Sequence, residues 1–236
     1  MRDSDAARSH PARPQSTSGA ALAKMPKPVS RLEPFMPITL IIIAITCVVS
    51  YLAFKNVRLM NDLILWPPAI ARQREYYRLV TYGLVHADFG HLLFNMFTLF
   101  FFGRVMEGFF AQRLGSFGFV LFYIGGLVFS ILPTYLKHRA DPNYRSLGAS
   151  GAVSAVLFAF ILLAPWQRIL VLVVPMPAIV YAVLYTAYSI YMDRRGQDNV
   201  NHSAHLWGAA YGVIFTLLMD GRVLPYFLNQ LLHPSF

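Results

Sequence analysis

Apolar residues in this chain are gathered into runs of about twenty, and polar stretches separate the runs. Crossing about 30 Å of hydrocarbon takes roughly 20 residues of helix, so runs of this length predict membrane-spanning helices. Four of the runs contain no Asp, Glu, Lys, Arg or His. The pattern predicts six spans, at residues 36–54, 91–111, 116–136, 147–164, 169–191 and 202–219.

The stretches outside these spans divide the chain into three parts. Residues 1–33 are rich in Ala, Pro, Ser and Arg without apolar periodicity, which predicts a flexible tail. Residues 34–220 are expected to form the six-span core of an all-α membrane protein, and residues 221–236 a C-terminal tail. We expect the first span to remain uncleaved, because it starts too late for a signal peptide. The 36-residue connection after it contains Trp66 and other aromatic residues and is expected to lie partly in the membrane interface.

Composition supports lipid rather than water as the main solvent. The chain is 56% hydrophobic and 13% charged, whereas soluble domains carry about 25% charged residues. Its 20 Lys and Arg outnumber 11 Asp and Glu, but they lie in tails and loops without the aromatic and basic platform of a single-strand nucleic-acid binder. The lipid bilayer is therefore the expected partner for this charge, and nucleic acid is not. The single cysteine, Cys47, excludes an internal disulfide framework.

Ionisable and strongly polar groups inside a span are costly and are functional candidates by default. Arg104 and Glu107 lie three residues apart in the second span and could pair on one helix face. The other candidates open the even-numbered spans, and because consecutive spans alternate in direction, those starts share one face of the membrane. They are His91 and Asn95 in the second span, with His86 just before it, Ser150 in the fourth, and His202 and His205 in the sixth.

Ser150 lies in the sequence Gly148-Ala149-Ser150-Gly151. Such a run of small residues can be a surface for helix packing. Alternatively, a serine in the first turn of a helix lies among backbone N–H groups that lack intrahelical acceptors, and these could stabilise the oxyanion formed when its hydroxyl attacks a carbonyl. A serine hydroxyl needs a base for this reaction.

His205 is the candidate base, although an intramembrane histidine can equally be a packed structural residue. Gly208 and Gly212 form a G-x-x-x-G face, and His205 precedes that face by nearly one turn. The fourth span offers Gly151, Ala155 and Ala159 at four-residue spacing. Small residues let two helices approach closely, so contact between these faces would bring Ser150 and His205 level at one end.

His91 and Asn95 are four residues apart and share a helix face. They form either a structural hydrogen-bonding pair or two donors to the same oxyanion.

The sequence does not support other kinds of protease site. Residues 202–205 lack the glutamate of an H-E-x-x-H zinc motif. No aspartate lies in any predicted span, and Cys47 has no histidine in its own span. We therefore expect no metal, and serine chemistry remains.

Four segments in this order resemble the rhomboid intramembrane serine proteases. They are RLVTYGLVHADFGHLLFNM at residues 78–96, FGRVME at 102–107, GASG at 148–151, and Ala204-His205 with Gly208 and Gly212. The resemblance extends over about residues 70–215. It implies the six-helix rhomboid-like fold and a catalytic dyad without a carboxylate.

By this resemblance, Ser150 would be the nucleophile and His205 the general base and then acid. His91, Asn95 and the Ser150 backbone N–H would form the oxyanion hole, and no cofactor or metal would be needed. Substrates would be single-span membrane proteins cut in or near the span. The remaining supporting residues would be Gly148, Gly151, Gly208, Gly212 and His86.

Orientation rests on the resemblance alone, because ten Lys and Arg residues fall on each side of the predicted topology. The resemblance implies a multi-pass protein of the plasma (inner) membrane with cytoplasmic termini. Two alternatives stay open. A catalytically inactive rhomboid-like protein would bind membrane clients, but such relatives typically lack the serine or the histidine. A transporter would be expected to show internal repeats, which this sequence lacks.

The chain departs from the family pattern at three places. Tyr77-Arg78 replaces the usual Trp-Arg pair of the first loop and is still expected to anchor at an interface. The spacing after Glu107 is longer than usual. Ser154 occupies the position, four residues after the nucleophile, where some members have a tyrosine that packs on the catalytic histidine. We expect Tyr211 or Trp207 to supply that contact instead.

Overall fold

The computed structural model describes residues 38–171, 174–196 and 198–234, so the tail predicted at residues 1–33 lies outside the described residues. The chain is mainly helical. Its first long helix is α1 (Ile38–Lys55). The connection that follows is structured, and it consists of α2 (Val57–Leu63), α3 (Pro67–Gln73) and α4 (Arg78–Thr81), with a 3₁₀ turn at Tyr82–Leu84.

Longer helices make up the rest of the fold. The second predicted span is one helical stretch, Phe89–Leu114, made of α5 (Phe89–Thr98), a π-helical segment (Leu99–Gly103) and α6 (Arg104–Leu114). It starts two residues earlier than predicted because the Asp88 side chain accepts a hydrogen bond from the His91 N–H and caps the helix. The later helices are α7 (Gly118–His138), α8 (Ser150–Leu163), α9 (Ala178–Arg195), α10 (His202–Met219) and α11 (Val223–Leu232).

Three helical stretches of the described chain are long and apolar enough to cross a membrane: α1, Phe89–Leu114 and α7. A fourth is obtained if α10 and α11, which meet at a bend of 114°, count as one span. The helix α8 is apolar but has only 14 residues. Each of the six predicted spans overlaps a long helix, whereas the count of six membrane crossings stays a prediction.

The fifth predicted span, residues 169–191, is wrong over its first third. This part forms an antiparallel hairpin in which β1 (Arg168–Val171) pairs with β2 (Val174–Pro177), with Ile169 opposite Met176. Pro175 and Pro177 lack the N–H that a helix needs and disfavour helical geometry in the residue before each of them. The helix α9 therefore begins only at Ala178.

Buried residues line almost the whole length of α8, which packs against α7 and α10 in the centre of the fold. Large apolar side chains are exposed on the outer helices instead, including Val48 on α1, Leu121 on α7 and Leu218 on α10. An exposed apolar surface of this kind suits contact with lipid rather than water. The centre of the fold therefore holds α8, the helix that begins at Ser150.

Glu107 joins the start of α1 to α6. Its carboxylate accepts hydrogen bonds from the Ile38 N–H at 2.8 Å, the Thr39 N–H at 3.0 Å and the Thr39 hydroxyl at 2.6 Å. The predicted partner, Arg104, instead lies over the Phe100 ring. The first N–H groups of a helix have no acceptor within it, so the carboxylate satisfies groups that would otherwise be buried without partners.

Arg78 braces the connection between α1 and α5 from the inside. Its guanidinium donates hydrogen bonds to the carbonyl oxygens of Asn61 at 2.7 Å and Ile64 at 2.8 Å, and the Glu75 carboxylate pairs with it. Arg78 is buried while Tyr77 is exposed, and an anchor for this pair at the membrane interface stays a prediction. The carbonyls and the carboxylate together compensate its buried charge.

Candidate active site

Ser150 and His205 meet at the start of α8 and α10. The Nε2 atom of His205 lies 2.8 Å from the Ser150 hydroxyl oxygen. Neutral imidazole has one accepting nitrogen, so at this distance Nε2 can take the hydroxyl proton. Ser150 is the first residue of its helix, where a backbone N–H has no acceptor inside the helix. The arrangement places a candidate nucleophile, a candidate base and a candidate oxyanion donor at one point.

Small residues let the backbones of α8 and α10 come into contact, and this contact brings Ser150 and His205 together. A Cβ atom added at Gly208 would lie 2.0 Å from the Gly151 carbonyl oxygen, and one added at Gly212 would lie 2.2 Å from the Ala155 carbonyl oxygen. The two small-residue faces identified in the sequence thus pack against each other. Any larger side chain at Gly208 would separate the helices next to His205.

His91 and Asn95 face the same cavity as Ser150 and His205. The Asn95 side chain is 3% exposed, and its amide nitrogen donates to the His91 carbonyl oxygen at 2.9 Å. An amide carries two hydrogens, so a second donor is available to a ligand. His91 lies against Gly148, where an added Cβ would come within 2.5 Å of the His91 ring. Gly148 also has φ of +107°, which favours glycine.

His86 supports the loop that leads into Ser150. The Ser50 hydroxyl donates to the Leu84 carbonyl oxygen, so the contact of 2.9 Å between Ser50 and the His86 Nδ1 requires a hydrogen on Nδ1. The His86 Nε2 then accepts from the Ala149 N–H at 3.4 Å. Burial, assisted by the neighbouring His91, lowers the pKa of His86 to about 3. His86 therefore remains neutral and holds the residue that precedes Ser150.

A cavity of about 1050 Å³ joins these residues. Pockets for small ligands usually measure about 300–1,000 Å³, so this space could take a longer chain segment. Its lining includes the Ser–His pair, other polar residues and residues of the β1 strand. The apolar lining includes Phe102, Val153, Leu157, Ile169, Leu170 and Tyr181. No cluster of three His, Cys, Asp or Glu side chains suited to a metal occurs among the described residues.

The residues of this site lie within a match to a known family. The Rhomboid domain matches residues 73–222, which include every residue of the site described above except the Ser50 contact of His86. The chain belongs to the rhomboid family. Together with its membrane-length helices and exposed apolar surface, this membership makes it an integral membrane protein.

Similar rhomboids come from a bacterium and from plant organelles. A Bacillus subtilis (strain 168) protein named "Putative rhomboid protease YdcA" is 27% identical over 188 residues, covering 80% of this chain and 89% of the relative. Rhomboid-like protein 11, chloroplastic, of Arabidopsis thaliana is 33% identical over 156 residues, covering 61% of this chain and 53% of the relative. RHOMBOID-like protein 12, mitochondrial, of the same plant is 32% identical over 153 residues, covering 58% and 44%. This rhomboid chain thus spans about half the length of the two plant relatives.

The aromatic contact of His205 in this rhomboid comes from a residue that the sequence did not suggest. The Tyr185 ring of α9 stacks on the His205 ring with centroids 6.0 Å apart, and its hydroxyl lies 2.8 Å from the Ser154 hydroxyl. Tyr211, one expected candidate, stacks instead on Phe122 and Phe129 of α7. The other candidate, Trp207, is 52% exposed.

Two further polar residues of the rhomboid site were missed in the sequence. Asp198 lies 3.0 Å from the Nε2 atom of the buried His202, and this hydrogen bond lowers the pKa of Asp198. Asn201 caps α10 by accepting from the Ala204 N–H at 3.0 Å. An Asn directly before a predicted span is a recognisable capping signal. Asp198 and Asn201 both line the cavity and add polar groups to its lining.

Proposed function

We propose that this rhomboid is an intramembrane serine endopeptidase that cleaves membrane proteins in or near a membrane span through Ser150 and His205. The observation that carries the proposal is the distance of 2.8 Å between the His205 Nε2 and the Ser150 hydroxyl oxygen. Family membership supports it, as does the word protease in the name of the Bacillus subtilis relative.

In the proposed reaction, the Ser150 hydroxyl attacks the scissile carbonyl carbon while its proton passes to the His205 Nε2. The negative charge on the carbonyl oxygen is stabilised by the Ser150 backbone N–H and by donors from His91 and Asn95. His205 then gives its proton to the leaving amine as the C–N bond breaks. Water then attacks the carbonyl carbon of the acyl-enzyme while His205 takes its proton. The ester bond to the Ser150 oxygen breaks, and His205 returns the proton to that oxygen, which releases the new carboxyl end and restores the Ser150 hydroxyl.

The proposed substrate is a single-span membrane protein, because the cavity that contains the Ser–His pair is also lined by many apolar side chains. Phe94 and Leu170 line this cavity and are also exposed, so an apolar chain could contact both of them. The scissile bond would lie beside Ser150. We further propose that the chain lies in the plasma (inner) membrane with cytoplasmic termini, which follows from the family resemblance.

The test is cleavage of a model single-span substrate in liposomes by the wild type and by Ser150→Ala and His205→Ala variants. Each variant should lose several orders of magnitude in kcat, as members of serine catalytic machinery do. Removing one oxyanion donor in Asn95→Ala or His91→Ala should cost about 10²–10³-fold in kcat. Thermal unfolding shows whether each variant is folded.

Matched controls are Ser189→Ala and His138→Ala. Ser189 is a buried serine of α9 whose hydroxyl has no hydrogen-bond partner within the described chain, and His138 pairs with Asp141 at the end of α7. Both should cleave like the wild type. Equal cleavage by Ser150→Ala and the wild type would refute the proposal, and binding of the substrate without cleavage would favour an inactive, client-binding rhomboid.

A further inference from the structure

We propose that Tyr185 is a positioning residue for His205, and that its hydrogen bond to Ser154 sets the register of the stack between the two rings. The proposal rests on the proposed function, because its purpose is to keep His205 aimed at Ser150. It assigns to α9 a part in forming the active site that neither the sequence pattern nor the family match assigns to it.

The geometry connects three helices at one point. Tyr185 on α9 and His205 on α10 have ring centroids 6.0 Å apart and planes 24° apart, within the range of offset stacking. Ser154 lies one turn after Ser150 on α8, so both serines are on the same helix face. The hydroxyl contact of 2.8 Å between Tyr185 and Ser154 thus fixes the stacking ring to the helix that bears the nucleophile.

No carboxylate takes this role. In the described part of the chain, the hydrogen bond recorded for the His205 ring is the one to Ser150. The nearby Asp198 bonds to His202, whose ring meets His205 edge-on at 5.7 Å. An imidazole held by a single hydrogen bond can rotate away from its partner, so the ring face of Tyr185 is the contact that restrains it.

Packing on the other side of Tyr185 fixes the ring in turn. Tyr181, one turn earlier on α9, stacks on it at 5.4 Å, and Phe158 of α8 lies at 5.9 Å. The side chains of Tyr181, Tyr185 and His205 therefore form a column of rings beside the cavity. The restraint on His205 passes through α9, and displacement of α9 from α8 would release it.

The experiment measures kcat and KM for the single-span substrate in liposomes with the wild type and with variants at Tyr185 and Ser154. Tyr185→Leu removes the ring and should lower kcat about 10²-fold, the loss expected for about 1 Å of misplacement, with little change in KM. Tyr185→Phe keeps the ring and should lose less than about tenfold. The double variant Tyr185→Phe with Ser154→Ala should have a kcat no lower than that of the more impaired single variant, because the two substitutions remove the same hydrogen bond.

The decisive variant is Tyr185→Leu with Ser154→Tyr, which returns an aromatic ring to His205 from α8. Its kcat should be at least about tenfold higher than that of Tyr185→Leu. If the Tyr185 ring were needed only for folding, a ring placed on α8 would not restore kcat. Tyr191→Leu, at an exposed position of the same helix, is the control and should match the wild type. Thermal unfolding of each variant confirms the folded state.

Unchanged kcat in Tyr185→Leu would overturn the positioning role, and so would an effect confined to KM. A folded double variant that stays as slow as Tyr185→Leu would also contradict it. If wild type and Ser150→Ala are equally inactive, the proposed protease function fails together with the positioning role. An active wild type with an unaffected Tyr185→Leu variant refutes the positioning role alone.

Discussion

Replacement of Gly208 by alanine tests whether the contact between α8 and α10 sets the geometry of the Ser–His pair. The new Cβ atom would lie 2.0 Å from the Gly151 carbonyl oxygen and 2.8 Å from its carbonyl carbon. Both neighbours are backbone atoms, so no flexible side chain can move aside. Because such contacts are essentially never closer than 3.0 Å, α10 must move away from α8 by at least 1 Å at this point.

The consequence for catalysis follows from the position of His205, which lies nearly one turn before Gly208 on the same helix. A separation of that size would stretch the present 2.8 Å between Nε2 and the Ser150 hydroxyl oxygen to a distance of up to about 3.8 Å, beyond hydrogen-bonding range. Misplacement by about 1 Å costs about 10²-fold in rate. The added methyl group should also destabilise the fold by about 1–3 kcal/mol through overpacking.

The assay compares kcat, KM and thermal unfolding of Gly208→Ala with those of Gly108→Ala. Gly108 lies within α6, and a Cβ atom there would meet nothing within 4 Å. The control should cleave normally and could gain up to about 1 kcal/mol in stability from its higher helix propensity. Wild-type kcat in Gly208→Ala would refute the reasoning, and so would an equal loss in the control.

Two other predictions concern the support of the site. Glu107→Gln should lower the free energy of unfolding by about 1–3 kcal/mol, because an amide has one acceptor oxygen for the donors of Ile38 and Thr39. Chemical unfolding in detergent measures this free energy, and an unchanged value would contradict the role of the carboxylate. His86 has a folded-state pKa of about 3, below its ordinary value of 6.5, so the stability it contributes is present above pH 6.5 and is lost as pH falls toward 3. The stability difference between wild type and His86→Phe should shrink on acidification by up to about 1.4 kcal/mol per pH unit, and parallel pH curves would exclude this contribution.

Features that depend on the periodicity of one helix could be predicted from the sequence. The spacing of Gly208 and Gly212 against Gly151 and Ala155 predicted a contact that the structure contains, because small residues at four-residue intervals have one main use between helices in lipid. The segments that suggested the resemblance all lie within the residues that match the Rhomboid domain. The polar residues that open the even-numbered predicted spans include His91, Asn95, Ser150 and His205, and these four line one cavity.

Features that depend on pairing between distant segments could not be predicted in this way. Arg104 was the nearest partner for Glu107 in the sequence, yet the carboxylate binds N–H groups 68 and 69 residues away. The hairpin at the start of the fifth predicted span was hidden because its apolar residues resemble those of a buried helix, and only the prolines indicate otherwise. A hydrophobic segment is predicted to be out of water, but its hydrophobicity does not identify which acceptor each backbone N–H binds.

The contact of His205 with Tyr185 shows the same limit at the candidate active site, and the proposed restraint would make Ser154 compatible with the proposed catalysis. A base needs a fixed ring orientation, and an aromatic face can supply it from any helix that borders the ring. With a serine at position 154, space is left beside His205, and the Tyr185 ring from α9 fills it while its hydroxyl bonds to that same serine. The small residue on α8 and the large one on α9 therefore form a complementary pair. Replacing either residue alone should disturb His205, whereas moving the ring from one helix to the other should preserve it.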